Sequence, residues 1–267
     1  IYGNSYEQGY VEFASDIASA KEVNGIEEET GEATFSGNKL MVSGKAFQPR
    51  TFKVTFKQKT LLTVPESQPL KLAYNAVALT SDEFNRAGDF DRQGNSLAAE
   101  LMPEKILSDG IEFRMQNDPA IFNYIRANGD TILLPEHPGA DKLFLLVTSV
   151  KDDRQATFLV DDKPYQVNVP YYSGFYGQWG WKGESEGYIK DASIGYIANH
   201  KHSAHKGNDS YNFAYLYKVC LDIPANARML VLPKDAGIAL FAATLTGNQN
   251  YDTKSVTEMR VLPYQTK

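Results

Sequence analysis

Three of the four histidines in the sequence lie close together, at His200, His202 and His205. Imidazole nitrogens are common ligands of zinc, copper and nickel, so this cluster could hold a metal ion. In a β-strand, His200 and His202 would lie on the same side, about 7 Å apart. No acidic residue lies within three positions of the cluster to complete a site, and Asp209 is the nearest. The cluster is therefore open to two further interpretations, a sugar contact and a plain polar loop between two strands.

A second group of potential ligands surrounds a glycine turn, where Asp89, Asp91 and Asn95 follow one another closely. Closely spaced carboxylates beside a glycine could form an oxygen cage for Ca²⁺. The spacing matches an EF-hand loop only in part, because Gln93 occupies its fifth position and no flanking helices are predicted. The sequence thus predicts either a structural calcium site or a turn stabilised by its own aspartate and asparagine side chains.

An aromatic and glycine-rich segment at 171–181 contains both tryptophans and four other aromatic residues. Glycines between the rings are typical of a shaped loop rather than a regular strand. Aromatic faces can stack on the C–H faces of sugars, while nearby amide and imidazole groups bind hydroxyls. We therefore take the following residues as candidate carbohydrate contacts: Tyr176, Gln178, Trp179, Trp181, His200 and His202. The alternative is an aromatic mini-core that holds a long loop in place.

The composition argues against several classes of function. With a net charge of −6 and a pI near 5.3, the chain lacks the basic surface that a nucleic acid backbone requires. The single cysteine, Cys220, excludes an intramolecular disulfide and a cysteine-based zinc site. No apolar run reaches the roughly 18 residues of a membrane-spanning helix. Common catalytic and nucleotide-binding motifs are also absent from the sequence. We therefore predict no nucleic acid partner, no membrane span and no catalytic residue.

Short runs of alternating aromatic or β-branched residues predict β-strands throughout the chain. The clearest runs are 50–56 and 211–223, whereas 142–150 is almost continuously apolar and predicts a strand covered on both faces. A helical signal is confined to 96–107 and is interrupted by Pro103, so at most one or two turns are expected. These elements predict an all-β protein: a β-sandwich (jelly-roll-like) domain preceded by a smaller β unit.

A proline-containing segment with little strand pattern predicts a domain boundary. We assign residues 1–58 to terminal strands of a larger β domain, 59–69 to a linker and 70–267 to a β-sandwich accessory domain. The first segment is short for a sandwich, so we interpret it as the end of a domain whose front is missing. The sequence does not begin with methionine, which fits a piece cut from a longer protein.

A series of short motifs runs along most of the chain. Upstream they occupy 20–25, 47–52, 88–91, 100–103 and 108–113; downstream they occupy 174–179, 187–190, 200–202, 211–218, 221–225, 232–233 and 238–242. Together they resemble the C-terminal region of bacterial α-mannosidases of glycoside hydrolase family 38. The resemblance rests on the order of the motifs and on no single one of them.

The resemblance implies a non-catalytic β-sandwich segment of an enzyme that hydrolyses terminal α-mannosides with retention. In that family the catalytic domain is N-terminal and holds zinc through Asp and His ligands. Zinc is therefore expected only in that domain, and no catalytic or zinc-binding residue is carried over to this chain. The implied partners are the enzyme's own N-terminal catalytic domain and mannose-containing glycans. The implied compartment is the periplasm or the extracellular space.

The residues themselves also support two rival functions. A free-standing carbohydrate-binding module would use the aromatic segment at 171–181 to bind glycan independently of any enzyme. A metal-dependent module would use His200, His202 and His205 as ligands. The first rival shares its predicted contacts with the mannosidase interpretation, whereas the second depends on the histidines alone.

Overall fold

The computed structural model describes residues 5–58, 66–178, 188–190 and 192–247. Strands dominate this part of the chain, and its helical residues belong to the 3₁₀ turns Asp82–Phe84 and Ala99–Leu101. The predicted all-β class is confirmed, and so is the short helical turn expected within 96–107, which ends before Pro103. None of the described helices is long and apolar enough to cross a membrane.

Contacts divide the chain into two compact units, Ile1–Val64 and Pro65–Lys267. The first unit contains the strands β1 (Tyr6–Glu12), β2 (Ile17–Val23), β3 (Glu29–Glu32), β4 (Phe35–Ser36), β5 (Lys39–Gly44) and β6 (Thr51–Phe56). These strands pair into the antiparallel sheets β1-β5-β4 and β3-β2-β6. The interpretation of this unit as the end of a larger domain stays a prediction.

Side-chain alternation builds the core of the first unit. Ile17 and Leu40 are buried, and Phe52 and Val54 of β6 pack against them. The residues on either side of Val54 are exposed, as expected for a strand with one face on the core. The strand predicted at 50–56 is therefore confirmed.

The second unit is built from longer strands and more of them. Its strands are β7 (Gln68–Pro69), β8 (Leu79–Thr80), β9 (Asn95–Ala98), β10 (Lys105–Ser108), β11 (Ile111–Arg114), β12 (Ile125–Arg126), β13 (Thr131–Leu133), β14 (Ala140–Ser149), β15 (Arg154–Val160), β16 (Lys163–Val169), β17 (Gly177–Gln178), β18 (Tyr188–Ile189), β19 (Ser193–Ser203), β20 (Gly207–Asp222), β21 (Met229–Val231) and β22 (Ile238–Gly247).

These strands form a large sheet, a small sheet and two separate hairpins in the described part of the unit. The large sheet has the order β12-β22-β14-β20-β19-β9-β8, with β7 paired to β22. The small sheet has the order β13-β21-β15-β16, and the hairpins are β10–β11 and β17–β18. Because β7 pairs with β22, the last two residues of the predicted linker 59–69 form a strand of the large sheet.

The large sheet is covered on both faces, which explains the apolar run at 142–150. Leu143 of β14 belongs to a core that includes Phe158 of the small sheet. The next residue, Phe144, belongs to a second core that includes Phe113 of the β10–β11 hairpin. The central strand predicted at 142–150 is therefore confirmed as β14, which pairs with β20 and β22. The β-sandwich prediction is confirmed as well.

The β19–β20 hairpin departs from the regular alternation predicted at 211–223. β20 begins earlier than predicted, at Gly207, whose φ of +73° is readily adopted by glycine after a tight turn. A register shift between Ala198 and His200 marks a bulge in the pairing with β19. Tyr211 also has a positive φ, 60°, so the alternation is interrupted at that residue.

Candidate functional site

His202 is fully buried where β19 meets other strands of the large sheet. Its Nδ1 lies 2.8 Å from the hydroxyl of Thr80, and its Nε2 lies 3.2 Å from a carboxylate oxygen of Asp82. Burial lowers the pKa of His202, and the hydrogen bond to Asp82 opposes this effect without reversing it. The imidazole is therefore neutral at pH 7, which is the form that coordinates metals.

His200 and Asp82 form a cluster with His202. The ring centres of the two histidines are 5.7 Å apart, and one donor atom of each side chain lies within 4.8 Å of the other two. Nδ1 of His200 lies 2.8 Å from Oδ1 of Asn199. Its Nε2 is buried and has no hydrogen-bond partner within the described chain. Among the described residues, this is the one group of His, Cys, Asp or Glu side chains that could share a metal ion.

Asp82 is the member of the cluster that the sequence did not reveal. It lies 120 residues before His202 and belongs to a 3₁₀ turn, so only the folded chain brings the two together. His205, the third histidine of the metal-dependent alternative, is not a member of this cluster. Because β19 ends at Ser203, the chain has turned before His205, which is exposed.

Neighbouring polar groups hold the cluster in place. Asn208 on β20 donates from Nδ2 to Oδ1 of Asp82 at 3.1 Å, and the backbone amide of Asp82 donates to Glu100 at 2.6 Å. The hydroxyl of Thr80 lies 2.6 Å from that of Ser96 on β9. These contacts fix both the short turn that carries Asp82 and the ring of the buried histidine.

The predicted calcium ligands form a hydrogen-bonded turn. Oδ1 of Asp91 accepts the backbone amides of Gln93 and Asn95 at 2.9 and 3.1 Å. Oδ2 of Asp91 accepts the Asn95 side-chain amide and the Tyr172 hydroxyl, each at 2.8 Å. Asp89 accepts a further backbone amide of the same turn at 2.8 Å. These contacts fit the alternative of a self-stabilised turn, and calcium binding stays a prediction.

Lys201 lies between the two histidines of β19 and is also buried. Its ammonium group is 5.5 Å from the ring centre of Tyr172. Burial lowers the pKa of Lys201, while the carboxylates of Asp91 and Asp209 oppose that shift. Its burial was not predicted from the sequence, because a lysine in a polar strand is ordinarily exposed. Its amine is deprotonated more readily than that of a surface lysine.

A row of aromatic side chains runs along β20. The ring centres of Phe213 and Tyr215 are 6.5 Å apart, those of Tyr215 and Tyr217 are 6.0 Å apart, and Tyr176 lies 6.3 Å from Tyr215. The exposed fraction falls from 89% at Tyr211 and 38% at Phe213 to 7% at Tyr215 and 0% at Tyr217. The term aromatic surface is used below for Tyr176, Tyr211, Phe213 and Tyr215.

The predicted carbohydrate contacts are only partly brought together. Tyr176 belongs to the aromatic surface, and its hydroxyl donates to the carbonyl oxygen of Ala192 at 2.5 Å. Gln178 lies on β17, which pairs with β18. Trp179 and Trp181 lie outside the described residues. Tyr211 and Phe213 were predicted only as strand residues, although the alternation of Phe213, Tyr215 and Tyr217 was a signal that could have identified this surface.

A family comparison agrees with the architecture of the second unit. Residues 66–249, about two thirds of the chain, match the family model of the AziU2-like beta-sandwich domain. The chain belongs to this family. No curated protein matches the chain significantly. The histidine–aspartate cluster and the aromatic surface both fall within the AziU2-like domain. The match does not connect this domain to glycoside hydrolase family 38, so that relationship rests on the sequence motifs alone.

Proposed function

We propose that the AziU2-like domain is a non-catalytic module that contacts mannose-containing glycan through its aromatic surface. The observation that carries this proposal is the exposure of Phe213 at the end of a row of packed rings, together with the exposed ring of Tyr211 two residues before it. Tyrosine and phenylalanine supply a large contact area at a low cost in conformational entropy. Because Phe213 is already held beside Tyr215, its ring can receive the C–H face of a sugar with little rearrangement.

The backbone of Tyr211 supports a role for its ring. A φ of 60° is left-handed, and for a bulky residue this conformation costs about 1–2 kcal/mol. Such strain persists only where the surrounding structure maintains it, and it is concentrated at functional sites. At Tyr211 the strained backbone carries an almost fully exposed ring. The bulged pairing of β19 with β20 maintains this conformation, and it leaves the ring of Tyr211 accessible to a ligand.

The resemblance to the C-terminal region of α-mannosidases supports mannose as the sugar. In this proposal the module supports a catalytic domain of the same protein, which hydrolyses terminal α-mannosides in the periplasm or outside the cell. A module that binds glycan without such an enzyme would use the same surface. Hydrolysis of an aryl mannoside by this chain alone would contradict the non-catalytic assignment.

A mannose-rich glycan array, probed with the whole chain with and without Ca²⁺, tests the proposal. We expect specific binding to mannose-containing glycans. Tyr211→Asn removes one ring and introduces a residue that tolerates a left-handed backbone. Phe213→Ala removes the other ring. Each substitution should weaken binding at least fivefold, which corresponds to roughly 1 kcal/mol, while the circular dichroism spectrum stays unchanged.

Phe122→Ala is the matched control, because Phe122 is an exposed ring outside the aromatic surface. This variant should bind glycan as the wild type does. Absence of binding by the wild-type chain would reject the proposal. Undiminished binding by Tyr211→Asn and Phe213→Ala would place the glycan elsewhere. Binding that requires Ca²⁺ would direct the next substitutions to Asp89 and Asp91.

A further inference from the structure

The cluster of Asp82, His200 and His202 has the donor atoms of a metal site. Two imidazoles and one carboxylate converge, each with a donor atom within 4.8 Å of the other two. We propose that these three side chains bind a divalent transition-metal ion of the zinc class and leave a further coordination position open. The proposal uses none of the residues of the aromatic surface, so it does not depend on glycan binding.

The buried Nε2 of His200 is the first argument. Within the described chain it has no hydrogen-bond partner, although it is shielded from solvent. Buried polar atoms are almost always paired, so an exception indicates an additional group such as an ion or a water molecule. The acceptor Oδ1 of Asn199 lies 2.8 Å from Nδ1 and retains the proton there. Nε2 is therefore left with a lone pair that can coordinate a metal.

The surroundings of His202 provide the second argument. The Thr80 hydroxyl lies 2.8 Å from Nδ1, where it can accept the ring proton while it donates to Ser96. Nε2, which without an ion donates its proton to the carboxylate of Asp82 3.2 Å away, is then free to present a lone pair to a metal. An ion bound by both Nε2 and the carboxylate would take the place of that proton. Metal-bound histidines typically donate their other ring N–H to a polar partner in this way.

The position of Asp82 allows the cluster to close around an ion. Ligand atoms of a tetrahedral zinc lie about 2.0–2.1 Å from the metal, and hence roughly 3.4 Å from one another. His202 Nε2 and Asp82 are already 3.2 Å apart, so the distances to His200 are the ones that must shorten, by at most about 1.4 Å. His200, which is only partly buried, and Asp82, which is more than half exposed on a short turn, can supply this movement.

The donor set also indicates the class of ion. Ca²⁺ and Mg²⁺ prefer oxygen ligands, whereas imidazole suits zinc, cobalt, nickel and iron. Three protein ligands, two of them histidine, leave room for a water molecule on a four-coordinate ion. Such an ion would also connect the turn at Asp82 to β19 across 120 residues, so its binding should stabilise the fold.

Isothermal titration calorimetry, in which Zn²⁺ alone is added to the metal-free whole chain, tests this proposal. We expect saturation at one ion per chain and a higher melting temperature in its presence. Co²⁺ should give the intense visible absorption of a four- or five-coordinate ion. Asp82→Asn keeps an oxygen that accepts from Asn208 but removes the charge, and His200→Gln removes an imidazole. Each variant should weaken Zn²⁺ binding at least tenfold, because replacing even a residue that only orients a metal ligand typically costs about 10–100-fold.

His205→Gln is the control, because it removes a neighbouring exposed imidazole that lies outside the cluster. It should bind Zn²⁺ like the wild type. The proposal fails if the wild-type chain shows no saturable Zn²⁺ binding. It also fails if the single variants Asp82→Asn and His200→Gln both bind Zn²⁺ with the affinity of the wild type. Equal weakening by His205→Gln would also overturn it, because binding would then be spread over surface histidines. Circular dichroism of each variant separates loss of the metal from loss of the fold.

Discussion

Two groups of aromatic rings in the second unit use the same residue types in opposite environments. Phe90, Tyr124, Tyr172 and Phe241 are completely buried and are referred to here as the buried aromatic cluster. Their ring centres are 5.1–5.9 Å apart, and Phe90 makes edge contacts with the other three. The aromatic surface has longer separations, 6.3 and 6.5 Å, and leaves Tyr211 and Phe213 exposed.

The difference shows which rings packing explains and which it does not. Edge-to-face contacts within a closed core account for every member of the buried aromatic cluster. Exposed rings contribute little to folding, because much of their apolar area remains in water. Their presence on β20 therefore requires another explanation, and the proposed glycan contact provides one. Substitutions in the two groups should have opposite effects on stability and binding.

The largest loss of stability is expected from Phe90→Ala. Phe90 contacts three other rings, so its removal leaves a cavity at the centre of the buried aromatic cluster. The free energy of unfolding should fall by about 3–5 kcal/mol. Urea denaturation followed by circular dichroism measures this change, and Phe122→Ala should change stability by less than about 0.5 kcal/mol. Similar losses in the two variants would remove the distinction between buried and exposed rings.

A smaller loss of stability is expected from Tyr172→Phe, which keeps the ring and removes only the hydroxyl. That hydroxyl donates to Oδ2 of the buried Asp91 at 2.8 Å. The substitution removes one donor from a buried carboxylate, which should cost about 1–3 kcal/mol. Tyr211→Phe removes an exposed hydroxyl and serves as the comparison in the same urea experiment. An unchanged midpoint for Tyr172→Phe would mean that the hydrogen bond adds nothing to stability.

Alkaline pH should destabilise the fold through its buried tyrosines. Burial raises the pKa of Tyr172 and of Tyr124 above the ordinary value of 10.0. The folded state therefore retains protons that the unfolded chain loses, and stability is present below pH 10 and decreases above it. Each such phenol lowers the free energy of unfolding by at most about 1.4 kcal/mol for each pH unit above 10.

Unfolding free energies measured between pH 9 and 11 should show this decrease, and Tyr172→Phe should make it shallower. Absorbance at the tyrosinate band should show that some of the tyrosine side chains ionise only when the chain unfolds. A slope that is identical in wild type and Tyr172→Phe would indicate that this phenol titrates normally, in contradiction to its burial.

The smallest change in stability is expected from Phe213→Ala, although its effect on glycan binding should be large. Its ring is 38% exposed and contacts a single neighbouring ring in the row, Tyr215. The unfolding free energy should change by less than about 1 kcal/mol. A loss as large as that of Phe90→Ala would assign Phe213 to the core and remove the main support for the glycan proposal.

The sequence was informative where one local pattern decided the structure. The continuous apolar run of β14 predicted a strand covered on both faces, because each face meets a separate core. Alternation in β6 predicted its buried side, because only one face of that strand packs on a core. The His-x-His spacing of His200 and His202 also predicted that these side chains could act together, and the structure places them in one cluster.

The sequence was not informative where contacts between distant segments decided the structure. Asp82 reaches the histidines only because β8 lies beside β9 and β9 beside β19. The burial of Lys201 depends on the ring of Tyr172, which comes from another loop. The positive φ of Tyr211 follows from the bulged pairing of the hairpin, since tyrosine itself does not favour that conformation. None of these features has a signature in neighbouring residues.

β20 has sixteen residues and is therefore about 50 Å long, so one strand passes through two environments. Val219 and Leu221 lie in the core between the sheets, whereas the beginning of the strand carries Tyr211 and follows the turn at Gly207. Amide hydrogens near Leu221 should exchange with solvent only when the whole domain unfolds, while those near Tyr211 exchange through local opening. A ligand held at the beginning of β20 would slow exchange there first, so the strand itself would report where that ligand binds.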